Sequence, residues 1–168
     1  MAFTTSSVLG ANLQGSSATQ LFTLNQIMHG SDGSEWQYVV TTGTLTTGLL
    51  VMINANGTAL SASTANLIAP GAGIGYSLGV TQFQLLGTEF GFVARRGHNM
   101  IVASTGSLNF PNVLYLSPTI GVIATGATSV TLAGIYITTS ASTATLSTIG
   151  RAILNYPRCV NASATPLG

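Results

Sequence analysis

The chain has 168 residues and a formal net charge of +1, with charged residues at only 4%, against about 25% in an average soluble domain. So little charge excludes tight binding to a nucleic-acid backbone, which takes several phosphate contacts, and also a coiled coil or a charged disordered tail. Threonine and serine fill the gap, with 24 Thr and 17 Ser beside 20 Gly, four Arg and no Lys.

Near-zero charge favours association, because copies and partners repel one another little. The surface is therefore expected to be covered largely by other protein. The length fits one domain, or a domain plus an arm, with a core that needs no disulfide. Cys159 is the single cysteine, so no internal disulfide can form. The opening MAFTTSSVLGANLQGSS lacks the basic and apolar regions of a signal peptide. In the uncharged stretch 36–88 the longest strictly apolar run is Leu49–Ile53, too short for a membrane helix. The expectation is a chain made in a cytoplasm that stays soluble or assembles there, with neither a membrane nor a nucleic acid as partner.

In chain order, residues 1–34 read as an extended N-terminal arm, rich in Ser, Gly and Asn. Its scattered apolar residues, Phe3, Val8, Leu9 and Leu13, are expected to bury against a neighbour. Within it, Leu21, Leu24 and Ile27 recur at helical spacing and predict a short helix over 18–28. Residues 35–158 form the β domain. Helix formers are scarce there and β-branched residues abound. Trp36–Thr42 and Leu49–Asn54 read as strands. Asn56-Gly57 is a tight-turn signal leading into a return strand at Thr58–Leu60. Further strands are predicted at Gly75–Thr81, Phe90–Arg95, Asn99–Ser104, Val113–Leu116, Gly121–Ala124, Ser129–Thr138 and Ile149–Tyr156. Short strands separated by Gly, Pro, Asn and Ser predict an all-β fold, a small sandwich or barrel. Residues 125–148 are low in complexity and predict a long polar turn. Residues 159–168 read as a loose C-terminal tail. No sustained internal repeat is visible.

Few motifs carry chemistry. Gly71-Ala-Gly-Ile-Gly75 has the wrong spacing for a dinucleotide loop, and a phosphate loop would need a lysine. It reads as a turn. His29 and Asp32 stand near several serines, but no nucleophile elbow exists. Two His, three Asp or Glu and one Cys leave little for a metal site. The chain is therefore not expected to be an enzyme, nor to hold a cofactor or metal. Arg95-Arg96 is the one charge cluster, read as a strand end preceding a turn at Gly97-His98. Its guanidiniums either fork onto a neighbour's carboxylates and carbonyls or are simply solvated. Glu89 is available to pair with them, and Arg151 and Arg158 share the ambiguity. Trp36, Tyr38, Phe83, Phe90 and Phe92 read as core or interface anchors.

Several segments together form a recognisable order: Trp36-Gln-Tyr-Val39, Gly48-Leu-Leu-Val-Met-Ile-Asn54, Gly57-Thr-Ala59, Gly79-Val80 and Phe90-Gly-Phe-Val-Ala-Arg-Arg-Gly97. Leu114-Tyr-Leu116, Gly121-Val-Ile123 and Ala133-Gly-Ile135 continue it. Over roughly residues 36–137 the chain resembles the small β-rich capsid decoration, or cement, proteins of tailed bacteriophages, including cyanophages. Phe92 stands where members often carry Trp, and the arm lies outside the match.

The resemblance implies a structural virion protein on the exterior of the head. It would bind the major capsid protein, bridge neighbouring capsomers and assemble as a homotrimer. Its interface candidates are Phe3, Val8, Leu9, Leu13, Trp36, Phe90, Phe92, Arg95 and Arg96. The alternative is a head-fibre or tail-tip adhesion module binding a host-surface receptor. An ice-binding solenoid would need regularly spaced Thr-x-Thr ranks on one face; Thr42, Thr44 and Thr46 make one rank, and no period of about 20 residues follows it.

Overall fold

The computed structural model describes residues 7–8, 11–13, 15–63, 76–105, 114–117, 121–125, 130–139 and 146–161. All regular structure among them is strand: β1 (Ser7–Val8), β2 (Ala11–Asn12), β3 (Ile27–His29), β4 (Glu35–Thr41), β5 (Leu50–Ile53), β6 (Thr58–Ser61), β7 (Ser77–Val80), β8 (Phe90–Thr105), β9 (Leu114–Leu116), β10 (Ile123–Ala124), β11 (Val130–Thr139) and β12 (Leu146–Asn161). The predicted strands are all present, with two differences. First, the segments expected on either side of Arg95–His98 are one 16-residue strand, β8. It bends through positive φ at Gly97 and Asn99 instead of turning. Second, β12 runs on through Cys159 to Asn161, beyond the expected start of the tail. Of the stretch 125–148 expected to hold a polar turn, β11 takes Val130–Thr139, while residues 126–129 and 140–145, like the glycine loop at 71–75, lie outside the described residues.

The helix expected over 18–28 is absent. Gln26 N–H instead closes a turn onto Thr23 C=O, and Asn25 takes a positive φ of 66°. The Asn25 side chain donates to Ala55 C=O at 2.7 Å and accepts from Gln37 at 2.7 Å. Long-range hydrogen bonds thus replace the helical ladder, and β3 pairs antiparallel with β4.

Ten strands form one sheet that closes on itself twice. The first circuit is β4–β6–β5–β7–β8, closed by β8–β4, a five-stranded barrel. Five is odd, so strict antiparallel alternation cannot close the ring and one junction must be parallel. That junction is β4–β6. A second circuit, β8–β10–β9–β11–β12, is closed by β12–β8 and has its parallel junction at β8–β10.

The two circuits have the same connectivity. In each, the first strand pairs with the third and fifth, the second with the third and fourth, and the fourth with the fifth. β8 ends the first circuit and begins the second. The registers correspond too. Tyr38↔Phe92, Val39↔Gly91 and Val40↔Phe90 match Ile101↔Arg151, Val102↔Gly150 and Ala103↔Ile149. Ile53↔Ala59 and Met52↔Leu60 match Leu116↔Ile123 and Tyr115↔Ala124. The fold is therefore a duplicated five-strand unit, a repeat not visible in the sequence reading.

Alternation sorts the side chains. Val39, Val51, Ile53, Ala59 and Val93 fill the first barrel, capped by Leu45 and Leu85, which exchange backbone hydrogen bonds. The opposite parity, including Trp36, Tyr38, Leu50, Met52, Phe92 and Ala94, joins a larger core. That core continues through Met100, Val102, Leu114, Leu116, Ile123, Ala152 and Leu154 of the second circuit. Burying each large apolar side chain contributes roughly 1.5–3 kcal/mol.

Backbone contacts lock the two units together. Ala103 N–H donates to Gly48 C=O at 2.8 Å, Leu50 N–H to Gly121 C=O at 2.7 Å, and Gly121 N–H to Ala62 C=O at 2.7 Å. Gly48 has φ +84°, and a Cβ there would lie 2.9 Å from Ala103 N. Only glycine combines that conformation with that approach.

The segment from Leu13 to Ser34 lies on the chain's own barrel. Leu13 is 1% exposed. Ser17 exchanges backbone hydrogen bonds with Phe90, and Leu21 N–H donates to the Tyr38 hydroxyl at 3.0 Å. Phe22 packs against Tyr38 and Phe92 with ring centroids 5.2 and 5.6 Å away. Ahead of Leu13, β1 and β2 pair, among the described residues, only with each other.

Candidate functional site

Most of the chain's ionisable side chains gather where the two units share β8. β8 brings Arg95, Arg96 and His98, the edge of β4 brings Glu35, and the turn between β3 and β4 brings Asp32, with His29 at the end of β3. At the β8 bend, Asn155 of β12 stands opposite Arg96, and Leu154 opposite Gly97. On the other side of β12, Tyr136 of β11 faces Ile153. These neighbours enclose a cleft of about 280 Å³, lined by Asp32, Gly33, Arg96, Gly97, His98, Tyr136, Ile153, Leu154 and Asn155.

Part of this cluster is held within the chain. The Tyr156 hydroxyl donates to Glu35 Oε2 at 2.9 Å, and His29 Nδ1 lies 3.8 Å from the same oxygen. The Arg95 guanidinium sits over the Tyr156 ring at 5.7 Å, a cation–π contact, while its Nε is buried without a hydrogen-bond partner. Trp36 Nε1–H donates to Ser34 Oγ at 2.8 Å, and Ser34 N–H donates to Asp32 Oδ1 at 3.0 Å. Burial pushes the Asp32 carboxyl up. Hydrogen bonds from the Ser34 hydroxyl and backbone, with the field of His98, outweigh this and hold it below its ordinary value. Asp32 is thus an oriented, ionised carboxylate at the cleft mouth.

The sequence-predicted interface residues separate into groups. Phe3 and Leu9 lie outside the described residues, and Val8 is described only by its backbone in β1, opposite Ala11. Leu13, Trp36 and Phe92 are buried in the chain's own core. As contact residues for a neighbour they are corrected to core anchors, because β4 and the first part of β8 are covered on both faces, by the first barrel's interior and by the larger core, which Leu13 also joins. Phe90 is half-buried and stacks on Tyr38 at 6.2 Å. Arg95 is half-buried and Arg96 exposed, in mid-strand instead of at a strand end. Glu89 does not join them, since its carboxylate accepts from the Ser16 hydroxyl.

Tyr136, Asn155 and Tyr156 were not predicted as site residues. Their only sequence signal was an aromatic or amide side chain on a strand, and the meeting of Tyr136 and Asn155 with Asp32 and Arg96, and of Tyr156 with Glu35 and Arg95, depends on the register of β8, β11 and β12. Among the described residues no group of three His, Cys, Asp or Glu side chains is placed to hold a metal. No family model, curated protein or solved structure matches the chain.

Proposed function

We propose that the chain is a structural virion protein, a decoration protein that binds the outer surface of a tailed-phage head and bridges neighbouring capsomers. The observation that carries this reading is the β1–β2 hairpin. Among the described residues its two residues per strand pair with each other and with no strand of the main sheet. An isolated two-stranded ribbon is marginal in water, so it takes its stability from whatever it lies on. Leu13 fastens its base into the core, and the charge-poor body behind it approaches a protein surface with little charge to desolvate. A homotrimer, which multiplies each weak contact by avidity, belongs to the same proposal.

The experiment compares the full chain with a form lacking residues 1–12, which keeps Leu13 and the strap behind it. Both are mixed with empty heads of the phage whose genome encodes the chain, and sedimented. The full chain is expected to co-sediment. The shortened form is expected to melt within a few degrees of it, yet stay in the supernatant. Equal decoration by both forms would remove the hairpin from the mechanism, and failure of the full chain to bind heads would overturn the decoration reading itself.

A further inference from the structure

The cleft at the shared bend of β8 has a composition unlike the rest of the surface. In a chain with seven Asp, Glu and Arg residues in all, one of each sign lines it, Asp32 and Arg96, beside His98 and Asn155. One wall is Tyr136, 52% exposed, and its floor includes Leu154 and the backbone of Gly97. Among the described residues the side chains of Arg96, His98 and Asn155 make no hydrogen bond, whereas Glu35 and Tyr156 behind them are engaged with each other. Junctions between folded units are where ligand clefts tend to form.

From this arrangement we infer that the cleft binds a single neutral pyranose unit of a saccharide. The volume of about 280 Å³ suits one sugar ring and not a folded partner. An anion would meet the Asp32 carboxylate and a cation the Arg96 guanidinium, but a hydroxyl both donates and accepts. Vicinal hydroxyls can therefore donate to the carboxylate and accept from the guanidinium and the Asn155 amide together. The exposed Tyr136 ring offers an apolar face to the sugar's C–H groups, with its hydroxyl still in water. The inference does not depend on the decoration reading. It holds for a chain that binds no shell.

The test is a titration of the full chain with glucose, galactose, mannose and N-acetylglucosamine in turn, to about 100 mM, followed by backbone amide NMR shifts. At least one sugar is expected to give saturable shifts confined to residues 32–33, 96–98, 136 and 153–155, with Kd on the order of millimolar, equivalent to about −4 kcal/mol. Tyr136→Ala is expected to weaken binding at least ~10-fold with the remaining spectrum unchanged, since one aromatic contact of about 1.4 kcal/mol corresponds to that factor. Tyr76→Ala, an exposed aromatic outside the cleft, is expected to leave Kd unchanged. The inference is overturned if no sugar shifts these residues, or if Tyr136→Ala binds as the parent does. It is overturned equally if inorganic phosphate shifts them while all four sugars are silent, which would make the cleft an anion site.

Discussion

Cys159 shows how burial governs a single residue. It lies half-buried on β12 beside the large core, and burial pushes its thiol from an ordinary 9.0 to about 11. The folded state therefore holds the proton more tightly than the unfolded chain does. The resulting contribution to stability is present in full below pH 9 and is lost as pH rises from 9 towards 11. Urea midpoints taken across that range should fall with pH, and Cys159→Ala should remove the part of the fall due to this group. An unchanged slope in the variant would place the loss elsewhere. The same burial lowers the small thiolate fraction still further at neutral pH, so alkylation of the folded chain should be slower than that of the unfolded chain.

Burial also explains which single residues were misread. An aromatic anchor in a core and one in an interface have the same chemistry, so Trp36 and Phe92 carried no mark of which they were. Asp32 and His98 were visible as ionisable residues, but Tyr136 and Asn155 stand more than a hundred residues from Asp32 along the chain. Only the strand register brings them together.

At the scale of elements, the strands were legible because glycine, asparagine and proline punctuate them. The Asn56-Gly57 turn is the clearest case: Gly57 N–H donates to Asn54 C=O and Asn54 N–H to Thr58 C=O, both at 2.9 Å. The repeat was illegible because its two copies share geometry more than letters. They coincide at Thr42-Gly-Thr-Leu45 and Thr105-Gly-Ser-Leu108, while their interior residues are exchanged, Val51 for Leu114, Ile53 for Leu116 and Val93 for Ala152. Cores tolerate such exchanges when patterning is kept. The break expected at Arg95–His98 was a bulge, whose charged and glycine residues resemble those of a turn.

One element-scale device is open to test. Gln82, buried, imitates a strand: its Nε2 donates to Ile101 C=O at 3.0 Å, and its Oε1 accepts from Ile101 N–H at 2.7 Å. It thereby ties the first unit to the second. Gln82→Leu should leave both Ile101 groups unpaired and cost about 2–4 kcal/mol, read by chemical denaturation. A cost below about 0.5 kcal/mol, the range of an ordinary surface change, would show that the tie contributes little.

At the scale of the whole molecule, a five-stranded barrel and a second circuit of like connectivity share one long strand and are joined by the backbone hydrogen bonds around Gly48 and Gly121. These ties fix one half against the other, as the proposed role of holding neighbouring capsomers at a fixed spacing would require. The N-terminal strap from Leu13 to Ser34 closes over the first barrel and leaves the β1–β2 hairpin as the element that pairs with no other strand of the sheet. On this account the body supplies rigidity, the hairpin supplies attachment, and the number of symmetric attachment points supplies strength.

The most direct measurement of the proposed role is the temperature at which empty phage heads lacking the chain are disrupted, followed by light scattering as purified chain is added. The account predicts a rise in disruption temperature that saturates at a fixed ratio of chain to major capsid protein. A temperature that stays constant at every ratio, with the chain remaining unbound, would contradict it.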